Sequence, residues 1–397
     1  MVVQSDLEYL LQFVSKDFQY LTQQVKIPYK GINLKCNYLI NIIHELLIKY
    51  YFSNNTELKF NLSSTILRKR YGEHYNYYIE YLCNNGFMSL VSKYYVGKKT
   101  NTYKLDSKYV YDVIRWKNCD NFLLKKTKDR FETSITELGE SSILPSIRKK
   151  LVTSLGNIEI DYDGAFKYLN ELKNSNLIDD SKYYKNLISI ENININVNNI
   201  YFNFDDFGRF HTNFTILKKE IRNKFLTINN EMLAEVDIKN SQPLFFAVYL
   251  KEELFNEINE DTKKYFDIVK SGLLYDDIIE NSELTNRSEA KEMMYKVLFG
   301  NNKSNKKENA IFKKLYPSVY EYICEYKDLR DNYKELAHDL QRKESNFIFN
   351  NVIKEIFETY PDVTLFTVHD SIIFSKSYQE RIEVIFNKHF QNLIKIF

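Results

Sequence analysis

The chain has 397 residues, of which 44% are hydrophobic and 27% charged, a composition typical of a globular protein with two or three domains. Its 55 Lys and Arg residues nearly balance its 53 Asp and Glu residues, so a net charge of +2 excludes a global positive field, and any nucleic acid must be bound by local patches. Four widely spaced cysteines argue against a zinc site or a disulfide framework, and no apolar run reaches the roughly 18 residues of a membrane span, so we expect a cytoplasmic protein without a membrane partner.

Residues 1–110 are predicted to contain a small helical domain. Apolar periodicity indicates a helix from Tyr38 to Tyr51, and Ser63 or Ser64 is a candidate N-cap of a second helix, which carries Lys69 and Arg70. A third helix is predicted from about Tyr75 to Cys83.

Two predicted strands follow these helices, Phe87–Tyr95 and Thr102–Leu105, on either side of a polar turn that contains Lys98 and Lys99. Three helices followed by a basic hairpin resemble a winged helix-turn-helix. In such a domain Lys98 and Lys99 would lie on the wing and contact DNA phosphates. A helical domain whose hairpin only packs on a neighbour has the same pattern, so both interpretations stay open.

The region 111–200 is predicted to be mostly helical. Its helical segments are Leu123–Phe131, Ile143–Leu155 and Asp163–Asn176. From Ile188 to Ile200 the sequence alternates Asn and Ile, which predicts a strand or a hairpin. We find no candidate catalytic residue in this region.

The first informative segment of the second half is a short apolar strand, Leu233–Ile238, with Asp237 near its C-terminal end. Asn240, Ser241 and Pro243 then stop the strand and begin a helix. A carboxylate at such a corner can hold Mg²⁺, and the backbone carbonyl of Ile238 would add a second oxygen ligand. An ordinary turn-forming Asp has the same local pattern.

The second informative segment, Asn286–Gly300, is predicted to form a cationic helix. Arg287, Lys291 and Tyr295 are spaced by four residues and therefore share one face. Arg and Lys can bind phosphates and an aromatic ring can stack on a base, which are the contacts that a nucleoside triphosphate requires. A solvated charged face is the alternative interpretation.

The third segment is a predicted hairpin, Val363–Phe374, in which apolar strands flank His369 and Asp370. A tight turn between two strands exposes its acidic side chain. The order of the three segments is informative: a strand-borne Asp, a cationic helix and a hairpin-borne Asp.

These three segments resemble motifs A, B and C of the family A (polymerase I type) DNA polymerases and, more distantly, those of the single-subunit phage RNA polymerases. Asp237 matches the metal-binding Asp of motif A, and Asp370 matches that of motif C. Motif B has Arg, Lys, an aromatic residue and an aromatic-Gly pair at fixed spacing. The matching residues are Arg287, Lys291, Tyr295, Phe299 and Gly300. The resemblance covers roughly residues 204–397.

Further residues acquire expected roles from this resemblance. The segment Gly208–Asn213 is similar to the family's T-G-R segment, so Arg209 and His211 are expected to contact the primer-template, as are Gln341 and His369. Asp237, Ile238 and Asp370 would bind two Mg²⁺ ions, with Mn²⁺ as the alternative. The nucleotide would be bound by five residues: Arg287, Lys291, Tyr295, Gln242 and Phe299.

The resemblance implies a template-directed nucleotidyltransferase, a small DNA polymerase of a phage or mobile element that extends a DNA primer-template with dNTPs. It implies an α+β fold of palm, fingers and thumb, with a winged-helix-like domain at 1–110, a helical thumb-like region at 111–200 and palm and fingers at 201–397. The alternatives are an RNA polymerase or primase-like enzyme that uses NTPs, and a DNA-binding replication or regulatory protein with an inactive polymerase fold.

The chain departs from the family at the position that selects the sugar. The family's DNA enzymes carry a Glu five residues after the motif A Asp, where this chain has Gln242. Tyr295 follows the arrangement of the DNA enzymes, whereas Ser371 after His369-Asp370 is more similar to the RNA enzymes. DNA synthesis is therefore favoured, and the choice between dNTPs and NTPs stays open.

Overall fold

The computed structural model describes residues 9–52, 57–95, 100–136, 143–195, 202–254, 258–330 and 332–397. The strands are β1 (Leu10–Ser15), β2 (Lys26–Tyr29), β3 (Ile32–Lys35), β4 (Lys59–Leu62), β5 (Met88–Ser92), β6 (Asn101–Leu105), β7 (Val113–Asn118), β8 (Ile158–Ile160), β9 (Phe202–Phe204), β10 (Phe210–Thr212), β11 (Leu226–Ile228), β12 (Glu231–Val236), β13 (Leu365–Val368) and β14 (Ser371–Ser375).

Helices predominate over strands. They are α1 (Cys36–Phe52), α2 (Ser64–Tyr71), α3 (Tyr75–Asn84), α4 (Asn121–Thr136), α5 (Pro145–Ser154), α6 (Tyr162–Asn174), α7 (Asp180–Ile195), α8 (Asn213–Ile216), α9 (Lys219–Phe225), α10 (Ser241–Leu254), α11 (Glu260–Ser271), α12 (Leu274–Glu280), α13 (Arg287–Phe299), α14 (Lys306–Leu315), α15 (Pro317–Asp328), α16 (Glu335–Asn346), α17 (Lys354–Thr359) and α18 (Gln379–Ile394). This mixed α and β architecture agrees with the expected α+β class. No helix of the described ranges is long and apolar enough to cross a membrane.

The chain divides into two compact units. The first consists of residues 1–137, 158–201 and 212–226, and the second of residues 138–157, 202–211 and 227–397. Both units therefore combine segments that are distant in sequence. The region 111–200 contributes residues to each of them.

The core of the first unit is built around α1. This helix buries side chains on nearly all sides, with Leu39, Ile40, Ile43 and Leu47 fully inaccessible to solvent. A helix that is apolar all round is stable only inside a core, and α1 packs against β1, β3 and α3. Removal of this apolar surface from water is the main term that stabilises the unit.

The segment from α1 to β6 has the order helix, strand, helix, helix, strand, strand. Its three strands form one sheet with β6 in the middle, antiparallel to both β4 and β5. The three helices and the two hairpin strands occur near their predicted positions. The additional strand β4 was not predicted.

The prediction of a strand or hairpin from Ile188 was wrong as far as the described residues extend, because α7 continues to Ile195. The helix buries every residue from Ile188 to Ile193, polar and apolar alike, and therefore has no single apolar face. Without such a face the 3.6-residue period disappears from the sequence, and the Asn and Ile alternation dominates the pattern.

The second unit is organised on a sheet in which β13, β14, β12 and β11 lie side by side. The strands β12 and β14 are antiparallel, and β13 and β14 form a hairpin. All five residues of β14 are buried, so both of its faces are covered. The terminal helix α18 packs against β12 and covers part of the sheet.

A continuous helix runs from Glu335 to Thr359 in the second unit. It consists of α16, a π-helical segment from Phe347 to Ile353, and α17. A π segment contains one residue more per turn than the α-helix around it, and such segments occur frequently at functional sites.

Candidate active site

Asp237 and Asp370 lie at the same end of two neighbouring strands. Val236, the last residue of β12, pairs with Ile372 on the antiparallel strand β14. Asp237 is the next residue after Val236, and Asp370 lies two residues before Ile372 in the turn between β13 and β14. The sheet thus brings together two carboxylates that are 133 positions apart in sequence.

Left-handed backbone conformations accompany both carboxylates. His369 has a φ of 57°, and Asn240, which begins the turn into α10, has a φ of 53°. Asn and His are among the few side chains that adopt this region at moderate cost. The two acidic residues therefore lie at tight turns whose backbone conformation is unfavourable for a β-branched residue.

The carboxyl of Asp370 has a raised pKa, about 6 against the usual 3.8. Burial is the largest cause, and the negative charges of Glu344 and Asp237 add to it. The backbone N–H of Asp370 and the ammonium of Lys291 act in the opposite direction. Lys291 and three carboxylates therefore share one electrostatic environment, although they come from α13, α16 and the ends of two strands.

The cationic helix α13 begins at a capped N-terminus. The side chain of Asn286 accepts a hydrogen bond of 3.0 Å from the backbone N–H of Glu289. Arg287 and Lys291 are exposed on the face that the four-residue spacing predicts. The opposite face packs into the core through Ala290, Met293, Met294, Val297 and Leu298. The same spacing therefore separates the cations from the core side of the helix.

Arg287 is held by neighbouring residues of α12. Its Nη1 donates to Asp276 Oδ2 at 3.0 Å and to Oδ1 at 3.3 Å, and its guanidinium lies 5.3 Å from the ring centroid of Tyr275. Burial raises the pKa of Tyr275, and the charges of Arg287 and Asp370 also act on its phenol. Tyr275 therefore lies close to the site, although the sequence analysis did not select it.

Tyr295 lies beside the carboxylates at the other end of the helical face. Its ring is 39% exposed, and its centroid is 5.4 Å from that of Phe299 and 5.7 Å from Lys291 Nζ. Burial raises the pKa of the Tyr295 phenol, followed by the charges of Asp370 and Glu344. The aromatic residue expected to stack on a nucleotide is thus partly accessible and next to the acidic end of the sheet.

Glu344 is a buried carboxylate that the sequence analysis missed. It is 2% exposed and lies on α16. Its Oε1 accepts from Arg209 Nη2 at 2.6 Å, and its Oε2 accepts from Ser241 Oγ at 2.6 Å and from the amide of Gln242. All of these partners donate, so both oxygens of the buried Glu344 carboxylate are hydrogen-bonded.

Arg209 belongs to a tight turn that also orients His211. Asp205 Oδ1 accepts from the backbone N–H of Arg209 at 2.8 Å, and its Oδ2 is 2.8 Å from His211 Nε2. Burial alone would raise the pKa of Asp205, but these hydrogen bonds outweigh it and hold the pKa below its usual value. The His211 ring lies 6.4 Å from that of His369, centroid to centroid. The expected nucleic-acid ligands His211 and His369 are thus neighbours, and Arg209 lies in the same turn as His211.

Several buried polar atoms near Glu344 have no hydrogen-bond partner. They are Arg209 Nε, Asn240 Nδ2, Asn240 Oδ1, Gln242 Oε1 and Ser345 Oγ. An unpaired buried polar atom costs roughly 1–3 kcal/mol, so native proteins provide each one with a partner or an ordered water. Ordered water is the simplest partner for these atoms, because all of them are buried.

The other expected site residues contribute less to this cluster. Ile238 is 3% exposed and directly follows Asp237, so only its backbone carbonyl is available as a ligand. Gln341 is half-buried on α16, three positions before Glu344. Phe299 lies at the end of α13 against Tyr295. Lys98 and Lys99 lie outside the described residues.

Asp237 and Asp370 offer carboxylate oxygens, which are the donor atoms that a hard divalent cation prefers. Mg²⁺ is usually held by one or two carboxylates, with water and substrate phosphates as its remaining ligands. A bound cation would offset the repulsion that Asp237 and Glu344 impose on Asp370. Among the described residues there is no group of three or more His, Cys, Asp or Glu side chains arranged to hold a metal by themselves. Any metal here would therefore depend on the substrate for part of its coordination.

No protein-family model matches the chain, and no curated protein matches it in sequence. The residues of the site are therefore the basis for assigning a function.

Proposed function

We propose that the protein is a template-directed nucleotidyltransferase that extends a primer by phosphoryl transfer from nucleoside triphosphates, as expected for a small DNA polymerase. One observation carries the proposal: two strand-end carboxylates, Asp237 and Asp370, share an electrostatic environment with Lys291 and Tyr295. These four residues come from three segments far apart in sequence, and the resemblance to family A polymerases assigns a role to each.

In this proposal Asp237 and Asp370 would hold two Mg²⁺ ions, which when bound would activate the primer 3′-hydroxyl and neutralise the triphosphate. Lys291 and Arg287 bind the phosphate oxygens and stabilise the charge that develops during transfer. Tyr295 stacks on the incoming nucleotide and fixes its orientation. The chain itself supplies positioning and electrostatics, which is most of what phosphoryl transfer requires of a protein.

We further assign the palm to the sheet of β11 to β14 and the fingers to the helices α11 to α14. The thumb would come from the helices of the 111–200 region. Arg209, His211 and His369 would contact the primer-template in the palm.

The first unit is proposed to bind DNA. The order α1, β4, α2, α3, β5, β6, with β6 in the middle of the sheet, is compatible with the winged-helix-like domain expected from the sequence. Lys69 on α2 is exposed and available to phosphates, whereas Arg70 is paired with Glu45. This same observation favours the second candidate function, a DNA-binding protein whose polymerase half is inactive.

Primer extension tests the enzymatic proposal directly. We expect Asp370→Ala to abolish nucleotide incorporation on a primed DNA template with Mg²⁺, because it removes one of the two carboxylates proposed to hold the metal ions. Asp362→Ala is the matched control, since Asp362 is exposed on the loop before the same hairpin and has no part in the site. Equal extension by Asp370→Ala and the wild type would refute the assignment.

Nucleotide binding separates the two candidate functions without relying on turnover. Calorimetric titration of the wild type with a dNTP and Mg²⁺ is expected to show binding, and Asp237→Asn is expected to weaken it at least tenfold because a cation ligand is lost. An enzyme and an inactive scaffold differ in this measurement. DNA binding in the absence of any nucleotide binding would favour the second candidate.

A further inference from the structure

We propose that Arg148 is the centre of an anion-binding site at the N-terminal end of α5, and that this site takes a phosphate group. The backbone of a nucleic acid and free inorganic phosphate both present this chemistry. The site contains none of the residues around Asp237 and Asp370, and it does not depend on the proposed nucleotidyl transfer.

Arg148 is a buried cation without a counter-ion. It is 5% exposed, and its guanidinium makes no ion pair or hydrogen bond within the described residues. Burial lowers the pKa of Arg148, and no described carboxylate acts against this shift. Buried charges in proteins are normally paired, and an arginine cannot avoid the cost by releasing its proton. An anion from outside the chain would supply the missing negative charge.

Two other arginines with little exposure have partners inside the protein. Arg222 is 4% exposed, and its Nη1 donates to two backbone carbonyls at 3.1 Å. Arg209 is paired with the carboxylate of Glu344. Ordered water can accept hydrogen bonds from Arg148, but it cannot neutralise the charge. Arg148 therefore lacks the kind of partner that the fold supplies to these two side chains.

The position of Arg148 in its helix adds to the need for an anion. The helix α5 has ten residues, and Arg148 lies in its first turn, which contains no acidic residue. The N-cap residue, Leu144, makes no side-chain hydrogen bond to this turn. A helix N-terminus carries partial positive charge and unpaired N–H groups, so it disfavours a cation and favours an anion. Both the side chain and the helix end thus attract negative charge.

The guanidinium lies at this end of the helix. Helical side chains lean towards the N-terminus, and the Arg148 guanidinium is 4.7 Å from the ring centroid of Phe204. The turn after Phe204 contains Gly208, where a Cβ atom would lie 3.8 Å from Ile143, the residue before the N-cap. Phe204 and its turn are therefore close to the start of α5. The ring supports one face of the guanidinium and leaves its N–H edges available.

An anion can reach these edges from solvent. Among the nitrogens of Arg148 only Nε is both unpaired and fully buried, whereas Nη1 and Nη2 are not sealed from solvent. These two nitrogens form the fork that binds phosphate oxygens in bidentate fashion. Leu144, Pro145 and Ser146 are exposed at the same end of α5. A phosphate on the surface can therefore be bound by the fork and by the N–H groups of the first turn.

Inorganic phosphate is the first probe, used with the unmodified protein. Calorimetric titration and thermal unfolding would be measured in sodium phosphate and in sodium chloride at equal pH and ionic strength. We expect phosphate to bind and to raise the midpoint of thermal unfolding by about 2–4 °C when it is present at several times its dissociation constant. Absence of phosphate binding, or an equal effect of chloride, would overturn the proposal whatever the variants show.

Variants assign the effect to Arg148. Arg148→Met keeps the length of the side chain and removes the charge, so phosphate affinity should fall at least about tenfold. In chloride this variant should be at least as stable as the wild type, because a buried unpaired charge is lost. Lys149→Met is the matched control, since Lys149 is the exposed neighbour on α5 and its loss should leave phosphate binding intact.

Two results with Arg148→Met would refute the assignment. Undiminished phosphate binding would show that the anion binds elsewhere. A large loss of stability in chloride would show that the guanidinium is already stabilised within the fold and needs no external anion.

DNA binding identifies the source of the phosphate group. Affinity for a fluorescent primer-template would be measured by anisotropy over a range of salt concentrations. If Arg148 binds a backbone phosphate, Arg148→Met should weaken binding and lower the slope of log affinity against log salt by about one. Unaltered DNA binding together with lost phosphate binding would assign the site to free phosphate. Neither measurement requires nucleotide incorporation, so failure of the proposed enzymatic function would leave this inference standing.

Discussion

Replacing Asp370 by Asn is expected to make the protein more stable while removing its proposed activity. The raised pKa of Asp370, about 6, means that its ionised form is disfavoured in the folded chain by burial and by the charges of Glu344 and Asp237. Asn has the same shape as Asp and carries no charge at any pH. The variant therefore escapes a cost that the wild type bears at neutral pH.

The size of this gain follows from the two pKa values. The pKa of Asp370 rises from 3.8 in the unfolded chain to about 6 in the folded chain. This difference of roughly two pKa units destabilises the folded wild type by about 3 kcal/mol at most, when Asp370 is fully ionised in both states. The folded state holds the proton more tightly, so this contribution is fully present below pH 3.8 and is lost as the pH rises through about 6. We expect Asp370→Asn to exceed the wild type by about 1–3 kcal/mol at pH 8 and by less than about 1 kcal/mol at pH 4.

Urea denaturation at pH 8 and pH 4 in the presence of a chelator measures the difference. Asp237→Asn is the matched control, because Asp237 is exposed at the same end of the sheet and its neutralisation should change stability by less than about 1 kcal/mol. Added Mg²⁺ should then stabilise the wild type and not Asp370→Asn. A variant that is no more stable than the wild type at pH 8, or equally more stable at both pH values, would refute the reasoning.

Two further predictions concern the helix that carries the cations. Lys327 is buried and donates to the carbonyls of Val297 at 2.6 Å and Gly300 at 2.8 Å, at the end of α13, and burial lowers its pKa to about 8. The folded chain loses this proton at a lower pH than the unfolded chain, so the free energy of unfolding of the wild type should rise with pH. Measured by urea denaturation and relative to Lys327→Met, it should increase by about 2 kcal/mol between pH 7.5 and pH 9.5. Parallel pH profiles of the two proteins would contradict this prediction. Asp276→Asn frees Arg287 from an exposed ion pair, so nucleoside triphosphate should bind up to about fivefold tighter in calorimetry. Weaker binding would instead identify Asp276 as a residue that positions the guanidinium.

The elements that present the site could be predicted because their signals are local. The four-residue spacing of Arg287, Lys291 and Tyr295 needs only helical periodicity, and α13 begins at the residue that Asn286 caps. The turn at His369-Asp370 needs only two apolar strands and a polar pair between them. In each case the interaction that defines the element lies within a few residues of the chain.

Glu344 could not be predicted because its environment comes from distant residues. In sequence it lies within the polar run Gln341–Asn346, which is typical of a solvated helix face. Its burial depends on Arg209, 135 positions away, and on Ser241 and Gln242, more than 100 positions away. The pattern of one helix cannot reveal a partner supplied by another segment. For the same reason the buried Asn and Ser of α7 were read as part of a strand.

The π segment from Phe347 to Ile353 has a consequence for the helical phase of α16 and α17. One extra residue rotates everything after it by about 100° relative to an uninterrupted α-helix. Residues of α16 and α17 that would share one face of an uninterrupted α-helix therefore face different directions. Glu344 on α16 faces the site, whereas Ile356 and Phe357 on α17 are buried in the core. Deleting a single residue within the segment would restore the regular helix and turn one half out of alignment. In this helix a one-residue change of length should therefore be far more damaging than most substitutions.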